Sequence, residues 1–580
     1  MHTAPFPSLQ APALTRVAAY IAASFALLVG QVQAQTTPDA GTLLREAERQ
    51  PRPLPRPVQP VSPQAPTSQA DGGAQISVQA FQIQGNTLIS TADLQAVLSP
   101  WLNQTLGFAD LQKAAEALAA EYRRQGWLAR PQLPAQDVSQ GVVTIEIIEG
   151  KLGQVRVDDD GQALRADRAM VSEMMTARQK PGAPLNLDNL ERSTNILNDT
   201  PGLAVTTILT PGKDKGESDA VVKVQDKPLF SGSVALDNQG ARSTGSDKLT
   251  FSGNFDNPLG LGDQIATNAN SSDGSDYYKA AYSRPFGHDG LRLGASASLM
   301  RYKLVGDMAS VQAKGDAKVF GVNGSYPLLR SSAHNATLSA ALDQKAYYNE
   351  ANGSVTSDKH IHTTVLALTG DALDAAGQGG MTLWGVNLTI GSVDLSAAPT
   401  NEAADSDGAG KTGPNTRGAY TKLGYNLARL QRLSDTFTLW ASLNGQWTDK
   451  NLDSSEKLTL GGPSGVRAYP VVEGSGDEGY TATLELRYSL SSQWQLAGFY
   501  DYGYIHQSYN PNYTGGPSVN EATLRGLGLG LTFTEPGRYT VKATVAQRMG
   551  DNPLQNPLNG KDGDGSLDTT RLWLNATLYF

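Results

Sequence analysis

From Lys227 to Phe580 the chain alternates apolar and polar residues in runs of about 8 to 13, the period-two pattern of β-strands whose two faces meet different surroundings. Ala482, Leu484, Leu486 and Tyr488 face one way, and Thr483, Glu485, Arg487 and Ser489 the other. Tyr539, Val541, Ala543 and Val545 oppose Arg538, Thr540, Lys542 and Thr544. Leu572, Leu574, Ala576, Leu578 and Phe580 oppose Arg571, Trp573, Asn575, Thr577 and Tyr579. A soluble sandwich also alternates. Here the polar face carries charges, and the pattern persists over about 350 residues, as in a membrane barrel with an apolar exterior and a polar lumen.

Connector lengths sharpen this. Segments 258–261, 285–289, 327–331, 371–379, 428–433, 491–492 and 535–537 read as short turns. Between them, 239–246, 270–275, 302–315, 349–359, 397–415, 449–477, 505–520 and 550–568 read as longer loops. Strict alternation of short and long connectors predicts a 16-stranded antiparallel transmembrane β-barrel over 228–580, with short periplasmic turns. Phe580, an aromatic closing the last strand, is a candidate barrel-assembly signal.

The N-terminal part has another texture. Residues 1–34 read as a signal peptide, with Arg16, an apolar stretch from Val17 to Gly30, and Val32-Gln33-Ala34 as cleavage site. Within 35–50, Thr42–Gln50 forms a short amphipathic helix candidate carrying Leu43, Leu44 and Ala47. Residues 51–75 form a Pro-rich linker, with seven prolines between Pro51 and Ala70. Residues 76–150 read as an α+β module: a strand at Ile76–Gln84, a helix N-capped by Thr91, a second helix from Phe108 to Gln125, and a strand at Gly141–Ile147. Residues 151–227 repeat that plan. Tandem small α+β units suggest binding modules.

Composition and charge remove alternatives. Only 39% of the residues are hydrophobic, and no apolar run of membrane-helix length occurs beyond the N-terminus. The net charge of −9 and the lack of a basic patch give no footing for nucleic acid. With no Cys, thiolate chemistry and Cys-zinc sites are excluded. His360 and His362 share a strand face without a third ligand nearby, and Asp562–Asp568 alternates oxygen ligands without the bidentate Glu of an EF-hand. An ordinary solvated loop is the simpler reading of the latter. No nucleophile elbow or phosphate loop occurs, so no catalytic residue, metal or cofactor is expected.

One loop stands apart. Gly461-Gly462-Pro463-Ser464-Gly465-Val466-Arg467-Ala468-Tyr469-Pro470 places an arginine among apolar neighbours, where an unpaired charge is costly. Strand parity over 493–502 points Phe499 and Asp501 into the lumen, and Gly526, Gly528 and Gly530 face inward on the next strand. That smooth strip leaves room for the loop, with Arg467 paired to Asp501 as an internal latch.

The chain resembles the transporters of two-partner secretion, of the haemolysin secretion/activation type within the Omp85 superfamily. The matching stretches are Gly465-Val466-Arg467-Ala468-Tyr469, Gly476-Asp477-Glu478-Gly479, Phe499-Tyr500-Asp501-Tyr502-Gly503, Asn257-Pro258-Leu259-Gly260-Leu261-Gly262-Asp263 and Leu197-Asn198-Asp199-Thr200-Pro201-Gly202. Ala468 departs from the family's usual glycine. The resemblance implies two POTRA domains, POTRA 1 (76–150) and POTRA 2 (151–227), in the periplasm and a barrel in the bacterial outer membrane. It implies a pore blocked by the helix of 35–50 and by the loop, with Gly503 beside Phe499 and Asp501 as the loop's lumen partners. The cargo it implies is an unfolded secreted exoprotein, adhesin- or haemolysin-like and β-helical, moved without nucleotide. Outer-membrane lipid and the barrel-assembly machinery are the further implied partners. An Omp85-type insertase that assembles other barrels is the alternative, with a passive porin or barrel enzyme behind it.

Overall fold

Period-two alternation can be satisfied on both faces only if the sheet has no free edge in lipid, because unpaired backbone groups there cost several kcal/mol each. The computed structural model, which describes residues 38–49, 75–159, 161, 163–406 and 413–580, meets that demand. Sixteen antiparallel strands, from Phe230–Asp237 to Thr570–Tyr579, pair in chain order and close into a barrel. Leu484, Leu486, Leu572 and Leu574 are exposed on the outside, while Trp573 and Phe499 on the opposite parity are buried. The expected signal peptide and nearly all of the Pro-rich linker lie outside the described residues.

The outer connectors are less uniform than the sequence suggests. Two expected long loops, 270–275 and 349–359, are two-residue hairpins at Asp273-Gly274 and Asn352-Gly353, with strand on either side. Asn352 and Gly353 both have positive φ (50° and 76°), the turn that matches strand twist. Their polar flanks read as loop but are strand, because a ribbon standing clear of the bilayer needs no apolar face. The expected turn 428–433 is likewise mostly strand, which runs to Arg432.

The closing seam is short. The first and last strands share five paired positions, from Asn575↔Asp237 to Tyr579↔Ser233. Phe580 extends the seam: its N–H donates to the Gly232 carbonyl at 3.0 Å, and its carbonyl accepts from Gly232 at 2.9 Å. Its ring packs against Phe230 and Phe251, with centroids 5.5 and 6.4 Å away. Deleting Phe580 is expected to lower the amount of folded barrel in outer membranes severalfold, read from the heat-modifiable band on semi-native gels. Unchanged abundance would remove this role.

Both α+β modules fold as three-stranded sheets with the same order. In the first, Val142–Glu149 lies between Ala80–Gln84 (parallel) and Ala129–Gln132 (antiparallel), over a core that includes Leu94, Leu118, Tyr122 and Ile145. The expected single strand Ile76–Gln84 is two strands: Ile76–Val78 pairs with Gln104–Leu106, and the chain changes sheets at Gln79. Ser90, not Thr91, caps the helix Thr91–Leu98, its side chain accepting from the Asp93 N–H. In the second module, Glu217–Asp226 lies between Lys151–Asp158 and Leu203–Pro211. This module docks on the short barrel turns. Arg178 and Arg192 reach Asp289 at 2.8 and 3.3 Å, Arg330 reaches Asp199 at 2.6 Å, and the Ser332 N–H donates to Glu191 at 2.6 Å. The modules and the short turns therefore share one end of the barrel.

Candidate functional site: the loop and helix inside the barrel

The loop between the strands Phe437–Thr448 and Glu478–Ser489 folds into the lumen instead of away from it. Leu458–Thr459 pairs with Ser475–Gly476 at its base, and the tip turns back through a Val466 N–H to Leu460 carbonyl bond of 2.7 Å. A Cβ on Gly465 would lie 1.9 Å from the Leu460 oxygen, so only glycine permits this close return. Val466, Ala468 and Tyr469 are fully buried.

Arg467 is held from every side. Its Nε and Nη2 donate to the two oxygens of Asp501, both at 2.8 Å, in a bidentate fork. Nη1 donates to Glu485 at 2.7 Å, and the backbone N–H adds a bond of 3.1 Å to Asp501. The guanidinium carbon lies 3.3 Å over the Phe499 ring centroid, and the Arg467 carbonyl accepts from Trp573 Nε1 at 2.8 Å. Asp501 also accepts from Thr483 at 2.9 Å. Parity thus places Asp501 and Phe499 where the loop needs them. Glu485 and Trp573 escaped the sequence reading. Glu485 sits on the polar face of its strand and pairs in register with Phe499, which is the signal that could have found it.

The glycine strip divides. A Cβ on Gly526 would lie 2.6 Å from the Ala468 methyl, and one on Gly528 would lie 2.5 Å from the Phe499 ring. Gly503 is equally tight, 2.9 Å from Val466. The bare wall at Gly526 makes space for the methyl of Ala468. Gly530 meets nothing closer than 3.7 Å, so the loop does not require its smallness.

A helix, α1 (Ala40–Glu48), lies in the lumen beside the loop. Asp39 caps it, accepting from the Thr42 N–H at 2.9 Å, so it begins two residues before the expected Thr42. Leu43 and Leu44 are buried against wall residues including Tyr277, Met300 and Tyr347, and Ala47 is half-buried. Charge fixes both helix ends. Lys359 of the wall bridges Asp39 (3.0 Å) and Asp453 of the loop (2.9 Å), and Arg49 donates to the Ser464 carbonyl at 3.1 Å. Glu456, at the foot of the loop, binds wall residues Lys345 and Lys422 at 2.8 and 2.7 Å. Sequence offers no sign of these pairs, because a loop's partners around a closed wall depend on where it folds.

The outer loop 549–569 closes over the inserted one. Asp562, expected in a solvated loop, is buried: Arg548 and Arg571 engage it, Asn552 donates to it at 2.9 Å, and Arg571 also reaches Asp564 at 3.0 Å. Arginines therefore occupy the carboxylates that a cation would need. His360 and His362 point out of the barrel, on the parity opposite buried Lys359 and Ile361, and no metal-ligand group forms among the described residues.

Glu473 ties the two loops together, accepting from Asn552 at 2.9 Å and from the Gly563 N–H at 2.8 Å. Burial, with Asp562 and Asp564 nearby, raises its carboxyl from the ordinary 4.5 to about 7, against the opposing effect of those two hydrogen bonds. A carboxyl raised on folding binds its proton more tightly in the docked state, so docking weakens as pH rises from about 4.5 through 7. The effect is on the order of 3 kcal/mol at most. Hydrogen exchange at 549–569 should be faster at pH 8 than at pH 5.5 in the wild type and nearly pH-independent, beyond intrinsic chemistry, in Glu473→Gln. An equal pH response in both proteins would rule this out.

A sixteen-stranded barrel with an apolar belt, tandem α+β modules at one end and a lumen filled by its own helix and loop defines a membrane-spanning protein of the outer-membrane barrel class. The family profile "Haemolysin secretion/activation protein ShlB/FhaC/HecB" matches residues 216–533, and the profile "POTRA domain, ShlB-type" matches 76–150. The chain belongs to this family of two-partner secretion transporters, which sit in the bacterial outer membrane with their POTRA domains in the periplasm. Among its relatives, the heme/hemopexin transporter protein HuxB of Haemophilus influenzae (strain 86-028NP) is 27% identical over 560 residues, 94% of this chain and 97% of the relative. The outer membrane transporter CdiB of Escherichia coli is 26% identical over 518 residues, covering 87% and 83% of the two chains. A solved structure of CdiB from Escherichia coli shares the fold with a TM-score of 0.69 at 22% identity, covering 99% of this chain and all of that one.

Proposed function

We propose that the protein exports a large secreted partner as an unfolded chain. The POTRA sheets receive it and the barrel conducts it, without nucleotide and without chemistry on the cargo. The observation that carries this reading is a closed barrel whose lumen is filled by two of its own segments, each held by hydrogen bonds and ion pairs that can be exchanged. A passive pore has no use for such a plug. The free edges of the POTRA sheets, such as Leu203–Pro211, offer backbone groups to an extended polypeptide. α1 and the Arg467 loop are the two gates. The curated names of relatives, which include a heme/hemopexin transporter and a hemolysin transporter, suggest an adhesin-, haem-binder- or cytolysin-like cargo. The test is co-production with each large secreted protein encoded nearby, scoring the medium. Export of one of them that requires this protein is expected. Loss of other outer-membrane barrels on its depletion, with no export, would replace this reading with that of an insertase.

A further inference from the structure

Below α1 and the loop lies a cavity of about 1070 Å³. Its roof includes Arg45, Glu48 and Arg49 of the helix end and 463–465 of the loop. Its walls run down to Asn335, Arg487 and Lys542, all within a few residues of short turns, so it opens toward the POTRA domains. This is the first space that a chain entering the barrel would meet.

Its charge is opposite in sign to that of the protein. The whole chain carries −9, yet eight Lys and Arg residues line the cavity against four carboxylates. The carboxylates are oversubscribed. Glu456 serves both Lys345 and Lys422, Glu485 serves Arg487 and shares Arg467 with Asp501 behind the lining, and Lys457 is taken by Asp477, also behind it. Three cations have no acid of their own. Both terminal nitrogens of Arg45 are buried without a hydrogen-bond partner. Arg49 spends its donors on the carbonyls of Thr459 and Ser464. Lys542 is exposed in the cavity and has no hydrogen bond or ion pair among the described residues. A buried guanidinium without an acceptor is costly, and an anion beside it removes that cost. A concave site of one sign between low-dielectric walls also focuses its field and concentrates counter-ions.

We propose that this vestibule is an anion-selective antechamber, drawing in carboxylate-bearing segments of a passing polypeptide, and chloride, ahead of their cationic counterparts. The proposal rests on the reading of the lumen as the conduit and adds to it the chemistry that the conduit prefers. Electrostatic preference here would act on entry and orientation, with acidic stretches engaging first.

Purified full-length protein in planar bilayers of uncharged lipid, under a KCl gradient, gives the test. The reversal potential is expected to favour chloride, and to shift toward zero in Lys542→Glu and, by less, in Lys542→Gln. Folding of both variants is checked by heat-modifiable mobility. A glutamate-rich peptide on the POTRA side is expected to block at lower concentration than a lysine-rich peptide of equal length. Currents that are unselective or favour potassium overturn the proposal and leave the conduit reading standing, as does a chloride preference that neither variant moves. Equal block by the two peptides overturns its extension to polypeptides. Absence of any channel, even after removal of 39–49, overturns the conduit reading and this inference together.

Discussion

Replacing Arg467 with alanine is expected to cut export of the partner at least tenfold while the barrel still inserts. The residue is 8% exposed, and its side chain makes three hydrogen bonds to two buried carboxylates. Removing it strands Asp501 without its cation and leaves Glu485 with Arg487 alone, a cost of about 3–5 kcal/mol for breaking a buried pair. Because about 1.4 kcal/mol is a factor of ten, the docked loop ceases to be the dominant arrangement. The wall itself loses no strand pairing, so heat-modifiable barrel should remain. Arg467→Lys keeps the charge but not the planar fork, and should fall between wild type and alanine. Export by Arg467→Ala at the wild-type level would sink the latch reading.

Deleting residues 39–49 is expected to raise single-channel conductance severalfold and leave export largely intact. Two fully apolar side chains, Leu43 and Leu44, leave the wall, each contributing about 1.5–3 kcal/mol of burial. The charge network tolerates the loss better than it would tolerate loss of the loop. Lys359 surrenders Asp39 but keeps Asp453, and Glu456 keeps both of its lysines. The Arg467 contacts do not involve α1 at all. Bilayer recordings of the two proteins decide the matter: equal conductance would mean that α1 does not obstruct the pore.

What could be read in the sequence was whatever depends on parity. Alternation along 493–502 puts Asp501 on the lumenal face whatever the loop does, and the same logic puts Gly526 and Gly528 beside it. Strand number followed from counting apolar runs. The misreadings share one cause. Asn349–Lys359 is polar because its ribbon stands in water, and polarity alone cannot separate a solvated strand from a loop. Glu485, Trp573 and Lys359 are a harder case. Their roles arise from how the loop and helix lie against a closed wall, which brings Lys359 to Asp39 across 320 positions of sequence.

The two strands that meet at Asn352-Gly353 hold 18 and 21 residues, whereas the first strand of the barrel holds 8. At about 3.3 Å per residue the longer of them measures roughly 70 Å against roughly 26 Å, far beyond the apolar band of about 25 Å. The outer rim is therefore lopsided, tall on one flank and low beside the seam. Seen from the cell surface the transporter has a front and a back: a standing β-ribbon on one side, and on the other a low rim from which the loop 549–569 folds inward.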